Sequence, residues 1–545
     1  MWWVLIVLLV ISRCGFSFFL DDAGDTLDFS NAIQKDYMKS DLLDGALKLH
    51  GNSSNILNPN NIYEWTPITN NLIAGGRDTF IFDIDTGTTG FGIASTYEIL
   101  ILLSGSICKQ PANAQGSSLG VFYSFDETLF GNISVGNLQM FQNGYLQALA
   151  LSPLESKDNN ATSKYSNLYV VVTPVNETTG QPLDSQAAIT DDPWEYKMSI
   201  SENDLVYQWD SRSWLQVLDT DHNSALLLTG NVSAEADSHY NYSIYNPELY
   251  DLYVFSEEGS ANIERNLNLS ICAMMSGDYL VSSAISPGSE SHPLERSNLA
   301  ISKSITSRSG SVREQFYVTG LNASTTYVAY LTKKIGKKGN LSHDGGVLFS
   351  KETFRTQSSN NCSLIFDLEF CSGVAYSVPT SSNSFNKTLL ATTFDKYAQS
   401  LFQNFSKALQ IIPCEMELDA RYSPLRTCEH CSSSYQDWLC AVTIPRCSVT
   451  RGEYHIHREK SANRNQFIND EIRPLSDYYE IPPCIEMCYY MVRDCPSDFG
   501  FACPNRDNYE DLFKRSYGYY DSSKSQITCN FIGNTTDLYL TASKE

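Results

Sequence analysis

The sequence predicts a multidomain α+β protein, with an all-β region of two sandwiches followed by a helical, disulfide-rich segment. Three observations carry this. Residues 51 to about 355 repeat short β-branched and aromatic runs, such as DTFIFDID, YSNLYVVV and TTYVAYL, between Gly, Asn, Asp and Ser clusters, the alternation of strands and turns. From residue 390 apolar residues recur at steps of three and four, the helical period. Twelve of the fifteen cysteines crowd into 362–529.

Taken in order, residues 1–17 are expected to be a signal peptide, because Trp2 to Ile11 is an apolar run followed by small residues near Ser17. A retained anchor is the alternative, but the run falls short of the ~18 apolar residues that a span needs. The run Ile99–Leu103 is expected to be a buried strand, and DLYLTASKE lacks the hydrophobic tail of a GPI signal. Thirteen N-x-S/T sequons, at Asn52, Asn132, Asn160, Asn176, Asn231, Asn241, Asn268, Asn322, Asn340, Asn361, Asn386, Asn404 and Asn534, point to the secretory route and a glycosylated surface. A formal charge of −24 argues against nucleic-acid partners.

After a flexible segment at 18–50, the first sandwich is expected over 51–192 and the second over 193–357. The junction is set near 190 at the Asp- and Pro-bearing stretch DSQAAITDDPWEY. Leu205, Tyr207 and Trp209 alternate as one face of a strand. Leu321, Thr325 and Tyr327 stand in an L-x3-T-x-Y arrangement that resembles the tyrosine corner of fibronectin-type sandwiches, where the hydroxyl ties back to backbone. Lys333, Lys334, Lys337 and Lys338 read as a solvated hairpin tip. DTDHNSALLLTG opens at Asp219 like a calcium loop but places Ser224 at the turn glycine and Gly230 at the bidentate glutamate, so it is expected to be a turn joining strands.

Residues 358–535 form the cysteine-rich domain, ahead of a tail at 536–545. Leu390, Phe394, Tyr397, Leu401, Phe405, Ala408 and Ile412 form an amphipathic stripe closed by Pro413, with the sequon Asn404 close to its apolar edge. In PCIEMCYYMVRDCP, helical spacing brings Cys484, Cys488 and Cys495 within an arc of ~40°. Loss of Cys14 with the signal leaves fourteen cysteines, an even number suited to disulfides. Cys108 and Cys272, alone before residue 360, are expected as disulfides with their mutual pairing open. Cys428 and Cys431 with His430, His455 and His457 offer a competing zinc set, disfavoured because a second CxxC is missing.

The spacings C-x8-C-x6-C at Cys431, Cys440 and Cys447, and C-x3-C-x6-C at Cys484, Cys488 and Cys495, after Cys362-x8-Cys371, resemble the frizzled-type cysteine-rich domain. That resemblance implies the pairs Cys362–Cys447, Cys371–Cys440, Cys431–Cys495, Cys484–Cys529 and Cys488–Cys503. Cys414 and Cys428 depart from its ten-cysteine pattern and would form an additional bridge. The stretches SENDLVYQWD, VLDTDHNSALLLTGN, YNPELYDLYVF, VTGLNASTTYVAYLTKK, IHREKSANRN and CIEMCYYMVRDCPSDFGFACPN resemble the fungal stretch-activated calcium-channel regulatory subunit. This implies a non-catalytic ectodomain on the outer face of the plasma membrane, reached through the endoplasmic reticulum. Its implied partner is a four-repeat pore subunit, which would also be its membrane attachment.

No H-E-x-x-H or P-loop pattern occurs, so no enzyme and no cofactor are expected. A secreted or wall-associated binder using the cysteine-rich domain is the alternative function. For the partner interface, RGEYHIHREKSANRNQ gathers Arg451, His455, His457, Arg458, Lys460 and Arg464, a basic loop suited to acidic channel loops.

Overall fold

The computed structural model describes residues 59–84, 99–112, 114, 116–151, 166–184, 192–230, 249–284, 298–308, 311–337, 340–380, 386–413, 422–505, 507–521 and 527–532. The signal peptide, the segment at 18–50, the C-terminal tail, Cys414, Lys338 and the sequons Asn52, Asn160, Asn231, Asn241 and Asn534 lie outside them.

Two sheets build the first sandwich. Sheet A holds, in spatial order, Asn60–Ile62, Asp78–Asp83, Asn167–Asn176, Ser117–Ser124 and Asn137–Met140. Sheet B holds Ile68–Leu72, Trp194–Ser201, Leu100–Lys109 and Tyr145–Leu151. Alternation places Phe80, Phe82, Val121, Leu168 and Val170 of sheet A against Ile101, Leu103, Tyr196, Met198 and Ile200 of sheet B. The expected junction shifts, because Trp194–Ser201 pairs with Ile68–Leu72 and with Leu100–Lys109. The stretch before it is therefore a connection within one sandwich. Loop composition is the same within a domain as between two, which is why it misplaces the boundary.

The second sandwich has sheet C, ordered Tyr207–Asp210, Asn340–Phe349, Thr326–Lys337, Tyr250–Ser256 and Val281–Ser282, with Glu352–Arg355 also paired to Thr326–Lys337. Sheet D is ordered Leu215–Thr220, Ser224–Thr229, Ser311–Thr319 and Ala300–Arg308. Leu252, Val254, Ala329 and Leu331 of sheet C meet Ala225, Leu227, Phe316 and Val318 of sheet D. The opposite face of sheet C sends Tyr253, Phe255, Val328 and Tyr330 into the core of the first sandwich. Two helices join them there, α1 (Glu257–Asn266) through Ile263 and α2 (Ile271–Ser276) through Ile271 and Met274. Burial on both faces explains why Leu252–Phe255, within the strand Tyr250–Ser256, reads as a continuous apolar run. The tyrosine corner forms, with the Asn322 N–H donating to Tyr327 Oη at 2.8 Å. Gly320 before it has φ +83, and a Cβ there would fall 2.0 Å from the Asn298 carbonyl oxygen, so only glycine fits.

In the cysteine-rich segment, α3 (Lys387–Leu409) buries Leu390, Phe394, Ala398 and Phe405 and leaves Asn404 exposed, which removes the conflict between sequon and stripe. The helix ends before Ile412. α4 (Cys428–Thr443), α5 (Ile485–Asp494) and α6 (Glu510–Ser516) follow. Cys484 and Cys495 stand at the two caps of α5, so only Cys488 of the expected three lies within the helix. A hairpin of Cys362–Ile365 and Tyr376–Pro379 and a three-stranded sheet of Arg446–Ser448, Tyr478–Ile481 and Ile456–Arg458 complete the segment.

The lysine tip is a further difference. Lys333 and Lys334 lie inside the strand Thr326–Lys337, and the Lys334 ammonium reaches the buried Asp251 carboxylate at 2.9 Å. Lys303 reaches the other Asp251 oxygen at 2.7 Å. Glu314 is 2% exposed beside this cluster, and its Oε2 is buried without a hydrogen-bond partner. Burial pushes its carboxyl up to about 8, against the pull of Lys303. A raised carboxyl stabilises the fold fully below its unfolded value, and that contribution is lost as pH rises through 8. Glu314→Gln is expected to flatten this decline and to raise stability at pH 8 by about 2 kcal/mol, read from urea unfolding midpoints between pH 4.5 and 8.5.

Candidate interaction surface and the joint that holds it

The calcium-loop lookalike is a turn, and its two acids have a different use. Asp221 is fully buried. Its Oδ1 accepts from the Asn223 and Ser224 N–H groups at 3.0 and 2.7 Å, closing the turn between strands Leu215–Thr220 and Ser224–Thr229. Its Oδ2 leaves the sandwich, accepting from the Leu364 N–H at 3.0 Å and from the Lys387 ammonium at 2.5 Å. Burial opposes the carboxylate here, but Lys387 and the backbone donors outweigh it and hold the pKa below the ordinary value. Asp219 accepts from Arg446 Nε at 2.9 Å and from the Ser377 N–H at 3.1 Å, while Arg446 also donates to the Leu218 carbonyl. Leu226 packs against Leu364 and Ala375 beside these pairs. Two acids, Asp219 at the end of one strand and Asp221 in the turn after it, thus fasten the cysteine-rich segment to the second sandwich through its hairpin, α3 and the strand Arg446–Ser448.

The structure pairs Cys362 with Cys447, Cys371 with Cys440, Cys431 with Cys495, Cys484 with Cys529, and Cys488 with Cys503, and it pairs Cys108 with Cys272. Cys428 is also disulfide-bonded. The competing zinc set is thereby dismantled: the Cys431 sulfur is bonded to Cys495, His430 Nδ1 serves the cap of α4 with Thr427, and His455 Nδ1 accepts from the Gly452 N–H at 3.0 Å. Cys484, Glu486 and Cys529 come within ligand reach of one another, but their two sulfurs form one disulfide.

The basic insertion divides into two groups. Arg458 and Arg464 both grip Glu480, which has no exposed surface: Arg458 Nε meets Oε2 at 2.6 Å and Arg464 Nε meets Oε1. Their other nitrogens donate to the Arg515 and Ser516 carbonyls at 3.1 and 2.9 Å. His455 is half-buried, and burial lowers its pKa. Arg451, His457 and Lys460 are exposed, among the exposed acids Glu453, Glu459, Asp470, Glu471 and Asp477. Two of the six expected docking residues are therefore occupied inside the domain.

Sequons mark the outer surface. Asn132, Asn268, Asn322, Asn386 and Asn404 are exposed, and Asn176 and Asn361 half-buried; Asn340 lies in the strand Asn340–Phe349. In Asn132, Asn176 and Asn386 the side-chain oxygen caps a local turn or helix, accepting from the Ser134, Thr178 and Thr388 N–H groups. None falls between residues 405 and 533. That interval also carries exposed apolar side chains on α5 and α6, among them Tyr489 at 45%, Val492 at 40% and Leu512 at 56%. No helix among the described residues is long and apolar enough to cross a membrane.

A family profile described as Mid1, stretch-activated Ca2+-permeable channel component, matches residues 100–535. The chain belongs to the Mid1 family. It is similar to the Saccharomyces cerevisiae protein named stretch-activated cation channel MID1, at 57% identity over 488 residues, covering 88% of each chain. The Schizosaccharomyces pombe protein named stretch-activated cation channel yam8 is 33% identical over 341 residues, 62% of this chain and 64% of its own. A Cryptococcus neoformans protein named stretch-activated cation channel MID1 is 28% identical over 203 residues, 30% of this chain and 32% of its own. The matched span of this Mid1-family chain contains both acids of the joint and the whole cysteine-rich block.

Removing one member of a buried ion pair leaves the other without compensation. Asp221→Asn is expected to lower stability by about 3 kcal/mol, and Asp221→Asn with Lys387→Met by less than the sum of the single changes. Chemical unfolding of the four forms measures this coupling. The contribution of Asp221, whose pKa is lowered, is present above the unfolded value near 3.8 and lost as pH falls through the folded value.

Proposed function

We propose that this chain is a non-catalytic extracellular regulatory component of a stretch-activated plasma-membrane calcium channel. It grips a four-repeat pore-forming subunit from outside. Membership of a family described as a channel component carries the reading. It is supported by a disulfide-stapled architecture suited to an oxidising compartment and by the absence of a spanning helix among the described residues. A component of this kind is retained at the membrane by its partner, through an interface on the order of 1,000 Å² or more.

The sequon-free interval between residues 405 and 533 is the region on which N-linked glycans would not obstruct such a contact, and it includes α4, α5, α6 and the insertion. Arg451 and Lys460, exposed on that insertion, are the cations placed to meet acidic channel loops, and charge reversal at a rim acts mainly on association rate and salt dependence. Arg458 and Arg464 act on the fold through Glu480.

Purification of the tagged protein in mild detergent is expected to bring down one very large multi-spanning polypeptide. Recovery in the soluble fraction without such a polypeptide would favour the free secreted binder. Arg451→Glu with Lys460→Glu is expected to weaken that recovery severalfold at low salt with the unfolding midpoint unchanged, whereas Arg464→Glu lowers the midpoint itself. Unchanged recovery with the first pair moves the interface off the insertion.

A further inference from the structure

The disulfide Cys108–Cys272 stands apart from the cysteine-rich block. It links Cys108, in strand Leu100–Lys109 of sheet B, to Cys272 on α2, 164 positions later in sequence. It thus ties the outer face of the first sandwich to a helix packed on sheet C of the second. Beside it, Ser106 and Ser270 share a hydrogen bond of 2.8 Å, Ser270 Oγ donates to the Ile107 carbonyl, and the Cys272 N–H donates to Ser106 Oγ. A cavity of about 290 Å³ opens onto the two cysteines, with Lys197, Tyr207 and Asp344 on its wall. Lys197 and Asp344 form an ion pair of 2.7 Å across it. Tyr207 is 1% exposed, and its hydroxyl has no hydrogen-bond partner.

Access separates this pair from the others. Among the pairs with both members described, it alone has both cysteines partly exposed; four of the other five have both buried, and Cys488–Cys503 has one. Exchange requires a thiolate to reach a disulfide sulfur, so exposure decides which pair reacts.

We infer that Cys108–Cys272 is a thiol–disulfide exchange site for low-molecular-weight thiols, entered through this cleft, and that it locks the two sandwiches together. A thiolate attacks one sulfur and forms a mixed disulfide, and the other cysteine departs as a thiolate that takes up a proton. A second thiolate attacks the sulfur of the first small thiol and displaces the protein cysteine as a thiolate, leaving Cys108 and Cys272 reduced and the two small thiols joined as their own disulfide. With Asp344 paired to Lys197, Glu195 leaves the cleft wall one net negative charge, which favours a cationic thiol over an anionic one. The serine bonds outlast the reduction, so the lock reopens without separating the sandwiches and closes again on oxidation. The inference concerns the chain alone and is independent of any channel partner.

The test uses the full-length protein with cysteamine or glutathione at equal thiolate concentration, followed by iodoacetamide and peptide mass spectrometry. Cys108 and Cys272 are expected to label at least tenfold faster than the cysteines of the buried pairs, and faster with cysteamine than with glutathione. Hydrogen exchange is expected to rise at 104–109 and 271–276 on reduction, and Cys108→Ser with Cys272→Ser to show the raised level with or without thiol. Earlier labelling within the cysteine-rich block overturns the site. Equal or faster reaction with glutathione overturns the acidic selection, and unchanged hydrogen exchange in the reduced native protein overturns the lock.

Discussion

A carboxylate with no exposed surface needs compensation for the water it has lost, and Asp221 obtains it from two directions at once. One oxygen closes the turn that begins the strand Ser224–Thr229, and the other receives Lys387 and the backbone of Leu364. The sandwich completes its turn, and the cysteine-rich segment finds its seat, around the same charge. Asp219, two residues earlier on the strand Leu215–Thr220, pairs likewise with Arg446. Buried ion pairs contribute modestly to net stability yet tolerate few alternative geometries, so this joint acts chiefly as a register between domains.

Sheet C makes the same connection through apolar contact. Side chains on its two faces enter different cores, one shared with the first sandwich and one between the second sandwich's own sheets. Disulfides then fix the cysteine-rich segment internally, where short strands and helices supply limited cores of their own. The succession from first sandwich to insertion is continuous, with polar fastening where the apolar layers end.

Local patterns were legible in the sequence. Alternation located the strands, the three-and-four step located α3, and the L-x3-T-x-Y arrangement placed the Tyr327 hydroxyl on backbone. The five pairings within the cysteine-rich segment followed the order that the resemblance implies. What escaped was long-range. Asp219 and Asp221 could be assigned to a turn, but their partners lie 227 and 166 positions away, and no local window contains both. A tally of charges made the insertion basic because Glu480, which consumes two of its arginines, sits on the neighbouring strand. Lys334 looked like a hairpin tip for the same reason, its acid being on another strand of the sheet. The first sandwich ends later than expected because a loop rich in Asp and Pro carries no mark of what it connects.

Asn132, Asn176 and Asn386 each commit the amide oxygen to a neighbouring N–H, while a sugar attaches through the amide nitrogen. A sugar attached at one of these sequons would therefore occupy the atom opposite the cap and leave in a direction set by the capped side chain. Enzymatic removal that converts the asparagine to aspartate keeps the accepting oxygen and adds negative charge, which at Asn386 faces the positive end of a long helix dipole. Such a conversion would leave the caps in place.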